Sequence, residues 1–341
     1  MYVVYVNKGV IEMNQSFKAV VVDKNEDEVN YGIQDITVDD LSEGEVLIKV
    51  AYSSVNYKDM LAVQEKSGII RNYPMIPGID LSGTVVESSN SQFKEGEEVL
   101  VTGFDTGVNH TGGFAEYAQI PAEWIVPLPE NLTLKDAMVF GTAGFTAALS
   151  VAALENNGMN KDNNPAILVT GSTGGVGSVA LQILSKSGYT NISALVRKDH
   201  QKEVAMSLGA TDVIFANELG NMEKPLNKQT YDFVLDTVGG DVASTLIPQV
   251  AYDGSMSMCG NAGGVKLTST VLPFILRGVN LLGIDSVNVP IEDRGEIWEK
   301  IAGPWNIAES TLVNEIALSE VPDTIDALKN GQHLGRTIVK Y

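Results

Sequence analysis

Along the 341 residues the spacing of apolar positions changes rhythm once. From Phe17 to Val126 apolar residues come in short β-branched runs closed by Gly, Asp, Asn or Pro, as in FKAVVVD, EVLIKVAYSSV, GTVVES and EEVLVTGF. Runs of this kind predict the strands of a small, mostly β domain. From about Asn164 the spacing alternates between two periods. AILVTG reads as a buried strand, SVALQILSKSG as an amphipathic helix ended by Gly188, and NISALV as a second strand. HQKEVAMSLGA, DVIF and YDFVLDTVG continue as helix, strand and strand. Strands alternating with helices predict an α/β architecture, a parallel sheet covered on both faces. After Leu282 the pattern loosens, and the closing GRTIVKY reads as one more strand. There is no internal repeat and no low-complexity linker.

One stretch needs separate treatment. Ala137 to Leu154, AMVFGTAGFTAALSVAAL, has no charge over 18 residues and so passes the length test for a membrane span. It is built largely of Ala, Gly, Thr and Ser and has no companion. A buried helix preceded by a turn at Gly141 to Gly144 is the expectation, with no membrane partner.

Length and composition narrow the class. A chain of 341 residues predicts two domains. Hydrophobic residues make up 44% and charged residues 19%, a globular balance. The net charge is −20, which leaves little from which to build the basic face a nucleic-acid partner requires. Cys259 is the sole cysteine, which removes disulfide frameworks and every multi-cysteine zinc site. The N-terminal MYVVYVNKGVIEMNQ has no basic leader and no long apolar run, so no signal peptide is expected and a cytoplasmic location is.

The strongest chemical signal is Ala166 to Gly177, AILVTGSTGGVG, running directly into a helix. Glycines after a buried strand let the backbone turn tightly and bring N–H groups up to a pyrophosphate, whose charge the helix N-terminus also favours. The register departs from G-x-G-x-x-G: either Ser172, Gly174 and Gly177 or Gly175, Gly177 and Ala180 fill the three glycine positions. Twenty residues after Gly177, past the second strand, come Arg197 and Lys198 rather than an acidic residue. A guanidinium can hold a 2′-phosphate through two parallel hydrogen bonds, which favours NADP(H). The competing assignment gives the ribose to Asp199 and leaves Arg197 as a solvated charge.

Together with this turn, the strings SSVNYKDMLA, NYPMIPGIDLSGTV, NHTGGFAEYA, GTAGFTA, DTVGGD and LPFILRGVNLLGIDS resemble the medium-chain dehydrogenase/reductase superfamily. Within it the chain is similar to the zinc-independent quinone-oxidoreductase branch, and there to the YhdH/YhfP-type group that includes acrylyl-CoA reductases. The likeness runs from about Phe17 to Tyr341 and leaves out residues 1 to 12. It implies a GroES-like β domain formed by residues 1–138 and 310–341, with a Rossmann NADP(H)-binding domain at 139–309 and the active site between them. The superfamily's alcohol dehydrogenases hold catalytic zinc through Cys and His in the stretches that here read SSVNYKD and PGIDLSG, and neither contains Cys or His. Without a Lewis acid, alkoxide stabilisation is lost, whereas reduction of an activated C=C bond needs only donors for a developing enolate.

The resemblance puts Tyr57, of NYKD, beside the nicotinamide. There it either donates to the substrate carbonyl or orders a proton-delivering water, and the alternative is a packed aromatic. Thr142 is expected at the nicotinamide end or as a helix cap. Ser172, Thr173, Gly174, Gly175, Val176 and Gly177 are expected to cradle the pyrophosphate, and Leu195 and Val196 to line the adenosine pocket beside Arg197. Asn261, Ile275 and Ser286 complete the expected cofactor contacts, and Lys224, before Pro225, is either a further contact near the adenosine end or a solvated loop lysine. Arg71, Arg277 and Arg336 are candidates for the phosphates of an acyl carrier, and His110 for a general acid, each against a structural alternative. The expected activity is NADPH-dependent reduction of a short enoyl-CoA. Quinone or enone reduction is the runner-up, and a non-catalytic NADPH-binding protein is the reading from another class. The resemblance also implies a homodimer, formed by sheet-edge pairing at NLLGIDS.

Overall fold

Two sheets meet where the rhythm changes. The computed structural model describes residues 16–26, 28–220, 224–309 and 312–341, so the N-terminal stretch read for a signal peptide lies outside the described residues. In chain order the first part holds β1 (Phe17–Asn25), β2 (Glu28–Ile36), β3 (Val46–Val55), α1 (Tyr57–Ala62), β4 (Asp80–Ser88), β5 (Glu98–Thr102), β6 (Tyr117–Ile120) and β7 (Ile125–Pro127). Helix α2 (Leu134–Asn156) follows, then β8 (Ile167–Val169), α3 (Gly175–Lys186), β9 (Ile192–Val196), α4 (His200–Ser207), β10 (Asp212–Phe215) and β11 (Tyr231–Asp236). The chain continues through α5 (Gly240–Leu246), β12 (Val250–Met258), α6 (Leu272–Arg277), β13 (Asn280–Gly283) and α7 (Ile291–Ala302). It ends with β14 (Val313–Ala317), α8 (Val321–Lys329) and β15 (Arg336–Lys340).

Strands β8 to β13 form a six-stranded parallel sheet in the order β10-β9-β8-β11-β12-β13, the doubly wound arrangement expected from the alternation. The β-branched runs of the first part form a mostly antiparallel seven-stranded sheet, β14-β15-β3-β4-β5-β7, with β6 on β3 and a separate β1–β2 hairpin. The closing GRTIVKY does return as a strand: β15 lies antiparallel to β3, pairing Thr337 with Val55 and Lys340 with Tyr52. The chain end thus completes the sheet that the first hundred residues began.

The uncharged segment is the core helix α2. Thr133 caps it, its side chain accepting from Asp136 N at 3.1 Å while Asp136 bonds back to Thr133, which fixes the helix start one turn before the apolar run. It is long and apolar enough to cross a membrane, yet 89% of that window is buried against the rest of the fold, with Phe140, Phe145 and Leu154 fully enclosed. The turn expected at Gly141 to Gly144 is a kink at Gly141 alone, and the helix runs on through Gly144. Gly141 has φ 52°, and a Cβ there would stand 2.5 Å from Ser54 Oγ and 2.6 Å from Asp80 Oδ2. Only glycine satisfies both the left-handed backbone and the close approach.

Candidate active site

The glycine turn closes β8 and opens α3. Gly171 takes φ 57°, which puts the tight turn one residue before the register that begins at Ser172 and four before the one that begins at Gly175. Gly174 is the N-cap of α3, and a Cβ on Gly177 would sit 2.3 Å from Gly171 O. Of the two registers, this geometry matches Ser172, Gly174 and Gly177, with Gly171 as the turning glycine. Having no side chain, Gly174 leaves the first N–H groups of a 12-residue helix uncapped, so the turn fits a negatively charged group. Thr173 is held from both sides: its carbonyl accepts from Gly335 N at 2.9 Å and its hydroxyl from Gln201 Nε2 at 3.0 Å. Ser172 Oγ donates to Leu195 O at 2.6 Å, tying the turn to the end of β9. Leu195 and Val196 are buried there, and Arg197 and Lys198 are exposed immediately beyond, their N–H groups both donating to Gln201 Oε1.

A second, buried cluster lies against the other side of this turn. Arg336, the first residue of β15, is fully enclosed. Its guanidinium donates to Ser54 Oγ at 2.6 Å, Val139 O at 3.0 Å and Asn56 Oδ1 at 3.2 Å. Asp80 accepts from Ser54 N at 2.9 Å, Asn56 Nδ2 at 2.9 Å and Thr142 N at 2.8 Å. The kink at Gly141 is what turns the Thr142 N–H toward that carboxylate. Asp59 accepts from Asn56 N, Gly78 N and Ile79 N. Burial, with the charge of Asp80 adding to it, pushes the Asp59 carboxyl up from 3.8 to about 7 despite those three donors. Burial likewise pulls the Arg336 guanidinium down, opposed by Asp80 and Asp59.

Arg336 is therefore the joint that brings the parts together. Through Asn56 it fixes the start of α1, whose first residue is Tyr57, 43% exposed. Through Val139 it fixes the kink that presents Thr142, and a Cβ on Gly175 would be 3.4 Å from its Nη1. The Thr142 hydroxyl is buried with no partner among the described residues. One turn on, Thr146 Oγ1 bonds Ser286 Oγ at 2.7 Å and Thr142 O at 2.7 Å, which brings Ser286 to the same place. Asn261 follows β12 in an exposed turn whose Cα is 3.3 Å from where a Gly239 Cβ would stand, at the same carboxyl edge of the parallel sheet.

Two expected cofactor contacts are not brought there. Lys224 is exposed between Leu219 and Asn227, which bond to Gln249 and Pro248 at the amino edge of the parallel sheet, opposite the glycine turn. Ile275 is 68% exposed on α6, two residues before Arg277, whose guanidinium is tied to Pro248 O, Val250 O and Asn227 O at that same amino edge. Arg277 is consequently a brace for backbone carbonyls, as is buried Arg336 in part, and only Arg71 of the three remains exposed. The His110 ring spans Thr111 O and Glu43 O at 3.0 Å each, the structural alternative. Sequence reasoning passed over Ser54, Asn56, Asp59, Asp80 and Gly171. Asp59 and Asp80 stand in NYKD and PGIDLSG, the very stretches searched for Cys and His, and two carboxylates there were a readable signal. Among the described residues, no three His, Cys, Asp or Glu side chains come together as a metal site would need.

Residues 42–130 match the alcohol dehydrogenase GroES-like domain, and residues 175–302 match the domain described as zinc-binding dehydrogenase. The putative quinone oxidoreductase YhfP of Bacillus subtilis is 43% identical over 96% of this chain and 100% of its own. Its crystal structure with NAD bound has a TM-score of 0.93, again with 96% and 100% of the two chains covered. The acrylyl-CoA reductase AcuI of Ruegeria pomeroyi is 42% identical over 95% of this chain and 98% of its own. The crystal structure of the yhdH oxidoreductase from Salmonella enterica in complex with NADP is 40% identical, with a TM-score of 0.92 over 95% of this chain and 99% of that one.

Proposed function

Because the chain belongs to the medium-chain dehydrogenase/reductase superfamily, in the group of YhdH, YhfP and AcuI, we propose that it is an NADPH-dependent, zinc-independent reductase of a short enoyl-CoA such as acryloyl-CoA. The observation that carries the reading is the uncapped N-terminus of α3 meeting, at Arg336, the start of α1 and the kink of α2. The junction supports a pyrophosphate at the turn with Tyr57, Thr142 and Ser286 toward the nicotinamide end.

NADPH supplies a hydride for the β-carbon of the unsaturated thioester. The N–H groups of Gly175, Val176 and Gly177 donate to the pyrophosphate. Arg197, exposed past β9, binds the 2′-phosphate, and in a chain of net charge −20 such a polyanion has to be captured by local cations. The unpartnered Thr142 hydroxyl and Ser286 hold the nicotinamide end. Tyr57 donates to the thioester oxygen as negative charge grows on it, or orders the water that protonates the α-carbon. Asp80, Asn56 and Arg336 hold Tyr57 and Thr142 in place.

We further assign residues 1–138 and 310–341 to the GroES-like catalytic domain and 139–309 to the cofactor domain. A cytoplasmic homodimer is proposed, joined along β13, which is an open edge of the parallel sheet and lies near the exposed apolar residues Val271, Ile275 and Leu276. Light scattering of the purified protein tests the dimer.

NADPH oxidation measured in parallel with acryloyl-CoA, crotonyl-CoA and a small quinone tests the activity. Turnover of the thioesters is expected. Turnover of the quinone alone would establish the quinone-reductase reading that the name of YhfP favours. Tight NADPH binding with no turnover would make the chain a binding protein.

A further inference from the structure

Arg294, on the first turn of α7, is completely buried and has no carboxylate in hydrogen-bond contact among the described residues. Its donors are nonetheless all used. Nε donates to Val289 O at 3.0 Å, Nη1 to Thr102 O at 2.8 Å and Thr102 Oγ1 at 3.0 Å, and Nη2 to Val287 O at 2.8 Å and Ser286 O at 3.4 Å. The guanidinium lies 4.2 Å from the centre of the Phe104 ring and 5.2 Å from that of Phe145. Burying a cation costs several kcal/mol unless its donors are satisfied, and carbonyl dipoles with two ring faces are what offsets the cost here. Burial pulls its pKa to about 10, so it stays charged at neutral pH.

The acceptors belong to two separate segments. Thr102 ends β5 in the antiparallel sheet and Phe104 lies in the turn just beyond it, whereas Ser286, Val287 and Val289 lie in the loop between β13 and α7. The two segments touch elsewhere too: Phe104 N donates to Val287 O at 3.0 Å, and a Cβ on Gly103 would be 2.9 Å from that oxygen. Phe104 holds φ 51°, an unfavourable region for an aromatic residue, and its ring stacks on Trp124 at 5.6 Å. The Asp285 carboxylate accepts from Val287 N and Asn288 N, which turns the loop carbonyls toward the guanidinium. The hydroxyl of Ser286, at the head of this loop, meets Thr146 one turn from Thr142.

We propose that Arg294 is a positioning residue that latches the Ser286–Val289 loop to the end of β5 and thereby sets the nicotinamide end of the cofactor site, leaving the adenosine end untouched. This rests on the dinucleotide reading above. Among the described residues no hydrogen bond links Arg197 or the end of β9 to the latch, whose bonds run to Thr102 and the Ser286–Val289 loop, so the two halves of the dinucleotide respond differently to its loss. The test is titration of the wild type, Arg294→Lys, Ser286→Ala and the double variant with NADPH and with 2′,5′-ADP, which carries the adenosine half alone. Arg294→Lys is expected to weaken NADPH about tenfold and 2′,5′-ADP by less than about twofold, with the double variant no weaker than the weaker single one, as coupled residues behave. Where Arg294→Lys does not fold, Thr102→Val removes one acceptor only and is expected to shift NADPH affinity alone, by about threefold. Equal weakening of both ligands, or none, overturns the latch. Failure of the wild type to bind either ligand overturns the dinucleotide reading and the latch with it.

Discussion

The two ends of the proposed cofactor site are built on opposite principles. The phosphate end is local: the residues from Gly171 to Gly177 are consecutive, their backbone is the proposed source of donors, and Arg197, the side chain proposed to read the ligand, is exposed. The end at Tyr57 is assembled across the chain: Ser54, Asp80, Val139 and Arg336 meet although 282 residues separate the first from the last, and the side chains of Ser54, Asn56, Asp80 and Arg336 are buried and bonded to one another or to backbone. A local motif tolerates loss of a side chain at little cost to the fold, whereas a buried network couples the site to the stability of the whole molecule.

The largest way to break that contrast is Arg336→Met. It strips a buried charge from a network containing Asp80 and Asp59, and is expected to cost about 3–5 kcal/mol in urea unfolding. Next comes a pH effect at the same end. Because the Asp59 carboxyl titrates near 7 in the fold, above its ordinary 3.8, the folded state holds the proton more tightly than the unfolded chain. The stabilisation from that proton is complete below about 3.8 and is lost as the pH rises through about 7. Unfolding of wild type against Asp59→Asn should therefore show the wild type gaining relative stability as the pH falls across this window, and parallel curves would contradict it. At the phosphate end, Arg197→Ala is expected to leave stability unchanged and to weaken NADPH ten- to hundredfold, about 1.5–3 kcal/mol, while NADH binding stays constant. Equal losses for both nucleotides would remove the 2′-phosphate clamp. The smallest effect belongs to Thr142→Val. Replacing a buried, unpartnered hydroxyl should raise the stability of the free protein by about 1 kcal/mol while weakening NADPH.

The same contrast explains what the sequence made legible. The turn, its strand and its helix are encoded within thirty residues by glycine and period, so they could be read directly, apart from the one-residue placement of the tight turn at Gly171. The return of GRTIVKY to the first sheet was readable as a strand, but that Arg336 at its head would reach Asn56 and Val139 was not, since no local pattern encodes a contact across the chain. The placement of Lys224 and Ile275 at the amino edge was not legible for a related reason: a resemblance gives order along the chain, while the edge of the sheet on which a loop falls depends on the whole topology. Arg294 falls where the apolar pattern loosens and was not legible there, because its burial against Phe104 and Phe145 depends on residues distant in sequence.

The central claim is hydride transfer from NADPH to the β-carbon of a short enoyl thioester. Incubating the enzyme with acryloyl-CoA and NADPH deuterated at C4 of the nicotinamide, then locating the label in the product by NMR and mass spectrometry, tests it directly. The account predicts propionyl-CoA with one deuterium at C3 from one of the two C4 stereoisomers of the cofactor, and a solvent proton at C2. Deuterium absent from C3 in the products from both stereoisomers, or NADPH consumed with no saturated thioester formed, would contradict it.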